Sequence, residues 1–298
     1  MLPVLFSIGS ISISSFGFFL SLGFLFGTFL VWRLARAWDF DEEKILDLTL
    51  LTFFGGLIFS RIYFVAEHLD FFLLDPLKML LFTKYPGLSF WGAFLGGWLT
   101  LHYFTKRFKM DFWQLIDVAA VGFLGGLVLA DLGCFLGGCG VGKLSNFLGV
   151  NMVGFVGERF PVQILESLIF LILLIKIWPK AIHFHTPGKI ASSVLIYIGI
   201  SKFILDFFRD QNSFFLSLIM VFLGLGLAHK ISKKTLKENM LILRLKFMRL
   251  LTDKEFRERV IQKSINSWYN GYQTNFFSKR LVRILRKIYV RTHPKSIS

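Results

Sequence analysis

Residues 10–32 read SISISSFGFFLSLGFLFGTFLVW, a run without a single charged side chain. About 20 consecutive apolar residues carry a helix across the hydrocarbon core of a bilayer, so this stretch sets the class of the chain. Further candidate spans follow at Asp47–Val65, Gly87–Phe104, Phe112–Leu132, Val162–Trp178, Ile190–Phe208 and Ser213–His229. With Ser10–Trp32 they make about seven. The stretch Phe71–Phe82, broken by Asp75-Pro76, is too short to cross and reads as interfacial or re-entrant. Unpaired backbone groups are costly in lipid, so the fold expected is all-α, a polytopic membrane helical bundle. Composition agrees: 54% of the 298 residues are hydrophobic and 18% are charged, where a soluble domain carries about 25% charged residues. No basic segment precedes the first apolar run, which therefore reads as a retained helix rather than a cleaved signal peptide. Only two cysteines are present, Cys134 and Cys139, which excludes a disulfide-stapled secreted scaffold.

The net charge of +15 is unevenly placed. Residues 230–298 hold 18 Lys+Arg against 4 Asp+Glu, while the preceding 229 residues are nearly neutral. The chain thus divides into an apolar body, 1–229, and a basic tail, 230–298. Arg33, Arg36 and Lys44 follow the first span, Lys106, Arg107 and Lys109 the third, and Lys176, Lys180 and Lys189 surround the fifth loop. The alternate loops carry fewer cations, and no Lys or Arg precedes the first span. The positive-inside rule then places the N-terminus outside and the C-terminus with its tail inside. Within the tail, Leu236–Leu251, Phe256–Tyr269 and Arg280–Tyr289 read as basic, partly amphipathic helices. Anchoring on anionic inner-leaflet lipid is the plain reading of this cytoplasmic tail. A polyanionic protein or nucleic acid is the alternative, although no nucleic-acid motif is present.

Several ionisable residues fall where lipid would penalise them: Arg61, Asp117, Asp131, Glu166, Lys202 and Asp206. Such groups turn inward, pair or snorkel. Lys202 and Asp206 are four apart and share a helix face, so they form a structural pair or line a polar cavity. Arg61 is a phosphate clamp or a snorkelling cation, with Tyr63 beside it. Together with Gln163, Glu166, Asp131 and Arg209, these residues place most of the intramembrane polarity on the outer half of the bilayer, which is where ligand capture or chemistry is expected. Asp117 is the exception, expected as a local cap or packing contact. Glycines at Gly55-Gly56, Gly92, Gly96-Gly97, Gly122 and Gly125-Gly126 serve close helix contact or make room for lipid.

The segment from Gly133 to Lys143, GCFLGGCGVGK, supplies backbone N–H groups that glycine can aim at an anion. Its cysteines are not a CxxC pair. They read as small packing residues or as lining of a site, with direct catalysis a lesser alternative. Leu144 follows Lys143 where a phosphate-binding P-loop requires Ser or Thr, so no nucleotide site is assigned. His102 and His183 lie on the expected inner side, and no metal site is assigned either.

Taken in order, these blocks resemble the prolipoprotein diacylglyceryl transferase family of bacterial membrane enzymes. The resemblance runs over residues 7–230, through Phe6-Ser7-Ile8-Gly9, Ser60-Arg61-Ile62-Tyr63, the block from Gly87 to Gly96, the GCFLGGCGVGK segment, Phe160-Pro161-Val162-Gln163-Ile164-Leu165-Glu166, and the block from Lys202 to Arg209. It implies seven helices with the N-terminus outside the inner membrane. It implies transfer of the diacylglyceryl group of phosphatidylglycerol to the lipobox cysteine thiol of a preprolipoprotein, without metal or cofactor. Asp131 and Lys202 are the expected catalytic residues. Arg61, Arg209 and Gln163 are expected to hold phosphate or lipid, and Tyr63, Trp91, Cys134, Cys139, Lys143, Glu166 and Asp206 to line or support the site.

The chain departs from the family pattern at four places. Asp131 stands where the resemblance calls for an arginine, Trp91 and Phe160 where it calls for histidines, and Lys202 where it calls for a second arginine. A repurposed, non-catalytic lipid-binding protein of the same fold is therefore the competing reading.

Overall fold

A computed structural model describes residues 2–8, 11–73, 87–146, 148–152, 154–183, 185–210 and 213–232, with 253, 255, 258, 259 and 262 as isolated positions. The three helices expected in the tail lie almost entirely outside the described residues, as does most of the expected interfacial stretch 71–82.

The chain opens with a two-stranded antiparallel hairpin, β1 (Val4–Ile8) and β2 (Ile11–Ser14). The first helix, α1 (Ser15–Ala37), therefore starts five residues later than the Ser10 expected from hydropathy. The reason lies in the Ser-Ile-Ser-Ile-Ser alternation at 10–14, a strand period rather than a helical one. Ser14 caps α1 by accepting from Gly17 N at 3.2 Å. Asp41 caps α2 (Glu42–Glu67) through Lys44 N at 3.3 Å. A single helical turn, α3 (Leu69–Phe72), follows. Next come α4 (Phe90–Arg107) and α5 (Phe112–Gly137), the latter capped by the Asp111 carboxylate on Trp113 N at 2.9 Å. It runs five residues past the expected end at Leu132, so Asp131 and Cys134 project from a helix. Gly138, at φ 77°, supplies the left-handed residue that ends it.

A connection with two short paired strands, β3 (Val150–Asn151) and β4 (Glu158–Arg159), leads to α6 (Val162–Ile182), α7 (Lys189–Asp206) and α8 (Phe214–Ile231). The described chain is thus all-α apart from the two small hairpins. Of its seven long helices, α1, α2, α5, α6 and α8 are long and apolar enough to cross a membrane. The protein is membrane-embedded and multi-pass.

Packing pairs α1 with α5, α2 with α4, and α7 with α8, with α5 also lying along α6 and α7. Glycines decide these pairings. A Cβ added at Gly27 would stand 2.7 Å from the Gly122 carbonyl oxygen, and one at Gly23 2.8 Å from that of Gly126. In the α2–α4 contact, a Cβ on Gly92 would meet Phe59 O at 2.6 Å, and between α7 and α8 one on Gly224 would meet Ile196 N at 2.9 Å. Backbones in such contact leave no room for a lipid tail between them, so these glycines act in packing. Val121, Leu124, Phe170 and Ile198 fill the centre where α5, α6 and α7 meet.

Candidate functional site

Three helix ends converge at one end of the bundle. The last turns of α5 bring Asp131 and Cys134, the first turns of α6 bring Gln163 and Glu166, and the last turn of α7 brings Lys202 and Asp206, with Arg209 just beyond. Glu166 is the centre. Its Oε1 accepts from Lys202 Nζ at 3.1 Å and its Oε2 from Arg209 Nη2 at 2.5 Å. All three are buried or nearly so. Lys202 Nζ also sits 4.0 Å from the centroid of the Phe90 ring.

The expected Lys202–Asp206 pair does not form. Each residue finds a partner on a different neighbouring helix: Lys202 turns to Glu166 on α6, while Asp206 Oδ2 accepts from Ser217 Oγ at 3.0 Å and from Ser213 N at 3.3 Å at the start of α8. Sharing a helix face permits contact, but two fixed partners across helix interfaces outcompete one flexible pair. Asp131 lies in the field of Glu166, Lys202 and Arg209. Its Oδ2 is buried without a hydrogen-bond partner among the described residues.

The segment after α5 closes over this cluster. Lys143 N donates to Phe208 O at 2.8 Å, Asp210 N to Val141 O at 3.0 Å, and Phe160 N to Lys143 O at 3.0 Å. Phe160 stacks on Phe208 with centroids 5.1 Å apart. The Lys143 side chain itself is exposed. Cys134 and Cys139 are joined in a disulfide across the end of α5, Cα–Cα 5.0 Å, so neither offers a free thiol for catalysis. Gln163 Nε2 donates to Cys139 O at 2.6 Å and to Gly140 O at 3.0 Å.

Not every expected residue joins this centre. Arg61 is buried in α2, where it donates to Gly87 O at 3.1 Å and lies over the rings of Phe64 and Phe72. Tyr63 packs against Gly92 in the α2–α4 contact. Trp91 meets Phe90 edge-on, one ring removed from Lys202. One participant escaped the sequence reading. Arg159 donates to Asp210 Oδ2 at 2.8 Å and to Gly142 O at 3.1 Å, tying β4 to the turn after α7. Among loop cations nothing in its spacing marked it out.

Asp117 sits at the opposite end of α5, where a local cap or packing contact was expected; it caps not its own helix but the start of α7. Its Oδ2 accepts from Gly188 N at 2.7 Å and His185 Nε2 at 3.1 Å, its Oδ1 from Ala191 N at 2.6 Å, so it neutralises the start of α7. Burial alone would lower the His185 pKa. The Asp117 bond and the His183 carbonyl outweigh it and raise the value above its usual 6.5.

The sequence profile of the prolipoprotein diacylglyceryl transferase family matches residues 3–230. The chain belongs to this family. A phosphatidylglycerol–prolipoprotein diacylglyceryl transferase of Dehalococcoides mccartyi is 30% identical over 145 residues, 48% of this chain and 55% of that protein. The corresponding protein of Aeromonas hydrophila is 29% identical over 221 residues, 71% and 79% of the two chains. That of Clostridium tetani is 24% identical over 243 residues, 76% and 96%. The chain thus spans little more than half the length of the first of these relatives and nearly all of the last.

Proposed function

We propose that this protein transfers the diacylglyceryl group of phosphatidylglycerol to the lipobox cysteine thiol of a preprolipoprotein, at the outer face of the bacterial inner membrane. In this reading seven helices span the bilayer, the N-terminus is outside and the C-terminus inside. Residues 1–229 form the transferase body, and the tail 230–298 rests on anionic inner-leaflet lipid. The observation that carries the proposal is the convergence of Lys202 and Arg209 on one carboxylate, with the unpartnered Oδ2 of Asp131 in the same field.

The chemistry needs a cationic hold on the phosphodiester and a route for one proton. Lys202 and Arg209 share their charge between Glu166 and the incoming phosphate, which raises the leaving ability of the glycerol phosphate. Asp131 takes the proton from the substrate thiol. The thiolate attacks the glyceryl carbon bonded to the bridging phosphate oxygen, the C–S bond forms, and that C–O bond breaks. The departing phosphate monoester gains a negative charge and accepts the proton from Asp131. Thioether and glycerol phosphate leave, and the carboxylate is restored. Arg61 stiffens the α2–α4 wall beside this centre.

The test is transfer of labelled diacylglyceryl from phosphatidylglycerol vesicles to a lipobox peptide by the purified protein. Asp131→Asn and Lys202→Met are each expected to lower turnover by about 100-fold or more, and Asp131→Asn to leave thermal stability unchanged or higher. Absence of transfer, or transfer indifferent to both changes, overturns the proposal. The second reading, a non-catalytic lipid-binding protein, is favoured by one fact: Glu166 already neutralises part of the cationic pair. Phosphatidylglycerol that co-purifies with the protein yet is never transferred would select it.

A further inference from the structure

Gln163 is 1% exposed and holds one turn ahead of Glu166 on α6. Its amide orientation is fixed, because the group facing two carbonyl oxygens, those of Cys139 and Gly140, must be the NH2. Both N–H groups are therefore spent. The carbonyl oxygen Oε1 remains, buried and without a partner among the described residues. Across Gly140 lies the Arg209 guanidinium: a Cβ built on that glycine would be 3.9 Å from Arg209 Cζ. The Gln163 amide and the Arg209 guanidinium thus both approach Gly140.

We propose that Gln163 determines headgroup specificity, its free Oε1 accepting a hydrogen bond from a hydroxyl of the departing headgroup. The inference rests on the transferase reading and corrects one part of its expectation. Gln163 has no donor left for a phosphate, and its free oxygen repels phosphate oxygens. What fits an unpaired acceptor is a donor. Of the donors a phospholipid headgroup carries, an ammonium would face Arg209, which repels it, whereas a hydroxyl is neutral. A glycerol headgroup meets both demands, with its phosphate on the cations and a hydroxyl on Gln163. A headgroup without hydroxyls leaves Oε1 buried and unsatisfied, and a site built around such a group rejects the analogue that lacks the partner.

The experiment compares three sole donors in phosphatidylcholine vesicles: phosphatidylglycerol, phosphatidylpropanol, which keeps the three-carbon headgroup and loses both hydroxyls, and phosphatidylethanolamine. The expected preference for phosphatidylglycerol over phosphatidylpropanol is about tenfold or more in kcat/KM. Gln163→Leu should bring the two rates to within about threefold of each other, because the acceptor that penalises the deoxy headgroup is gone. The readout is a ratio, so a general loss of activity leaves it unmoved. Equal use of both lipids by the unaltered protein, or a preference that persists in Gln163→Leu, overturns the inference and leaves a water on Oε1. If the variant does not fold, retention of the two lipids by the unaltered protein, measured by native mass spectrometry, decides. If no donor supports transfer, the transferase reading fails, and retention of the two lipids by the unaltered protein compared with Gln163→Leu still judges Gln163.

Discussion

Replacing Glu166 with glutamine removes the carboxylate that, among the described residues, Lys202 and Arg209 share. The geometry sets the size of the effect. At an effective dielectric constant of about 20, a pair at the 3.1 Å of Lys202–Glu166 attracts by about 5 kcal/mol before desolvation. Breaking a buried pair by removing one partner costs about 3–5 kcal/mol net, since the other charge stays behind uncompensated. Lys202 is the group left behind, and its side chain is 6% exposed. For a body of this size, about 2–4 °C of melting temperature per kcal/mol gives a fall of roughly 6–20 °C. Tryptophan-fluorescence melting in detergent micelles measures it. Two companions sharpen the test. Lys202→Met on the Glu166→Gln background removes the stranded charge and should recover at least half of the loss. Added phosphatidylglycerol should raise the melting temperature of Glu166→Gln more than that of the unaltered protein, because the phosphate takes the place of the carboxylate. A Glu166→Gln protein that melts within about 2 °C of the parent refutes the reasoning, because the cations would then not depend on Glu166.

At the other end of α5, the raised pKa of His185 makes stability depend on pH. A group whose folded pKa exceeds its unfolded value stabilises fully below the unfolded value, about 6.5, and the contribution is lost as pH rises through the folded value. Melting temperature should therefore fall from pH 6 toward alkaline pH, and His185→Gln should flatten that slope; an unchanged slope would count against the Asp117–His185 contact. Gly27→Ala is expected to destabilise by about 1–3 kcal/mol, because the added Cβ meets the Gly122 carbonyl of α5. Gly226→Ala, where nothing among the described residues lies within 4 Å, should be neutral or stabilise by up to about 1 kcal/mol. Equal shifts at the two glycines would show that α1 and α5 are not in backbone contact.

The bundle was legible because charge is expensive in lipid and helices are the economical way to cross it. Each expected span corresponds to a long helix, five of them long and apolar enough to cross a membrane, and two of the boundary errors fall where another signal competed. At residues 10–14 a period-two alternation was absorbed into an apolar run. At 133–137 glycine and cysteine suggested a loop, yet Gly133 and Gly137 sit against the Phe16–Phe19 turn of α1, and the helix continues because its small residues let that turn approach. Among the buried polar groups, identity was readable and partnership was not. Spacing along one helix pointed Lys202 at Asp206, whereas the choice was made by Glu166 and Ser217 on neighbouring helices, which sequence spacing does not encode. Arg159 shows the same limit: a loop cation acquires meaning only once β4 is laid beside Asp210.

Two aspartates on α5 differ in how far their oxygens are bonded. Asp117 has both oxygens bonded, to two backbone N–H groups and His185, and its work is finished when α7 is in place. Asp131 has an oxygen with no partner although it is buried beside Lys202, Arg209 and Glu166. Of the seven buried side-chain polar atoms without a partner among the described residues, four belong to Asp131, Gln163, Arg159 and Arg209. Folding alone selects against such atoms, each costing about 1–3 kcal/mol. Four of them lie at one end of the bundle, as two acceptors and two guanidinium donors, a set that a group able both to donate and to accept would complement. On the transferase reading proposed above, a phosphate bearing a hydroxylated headgroup, approached by a thiol, would supply both, whereas near the Asp117 end of α5 a single ring nitrogen, His102 Nδ1, is likewise buried without a partner among the described residues, its ring 4.9 Å from that of Phe112.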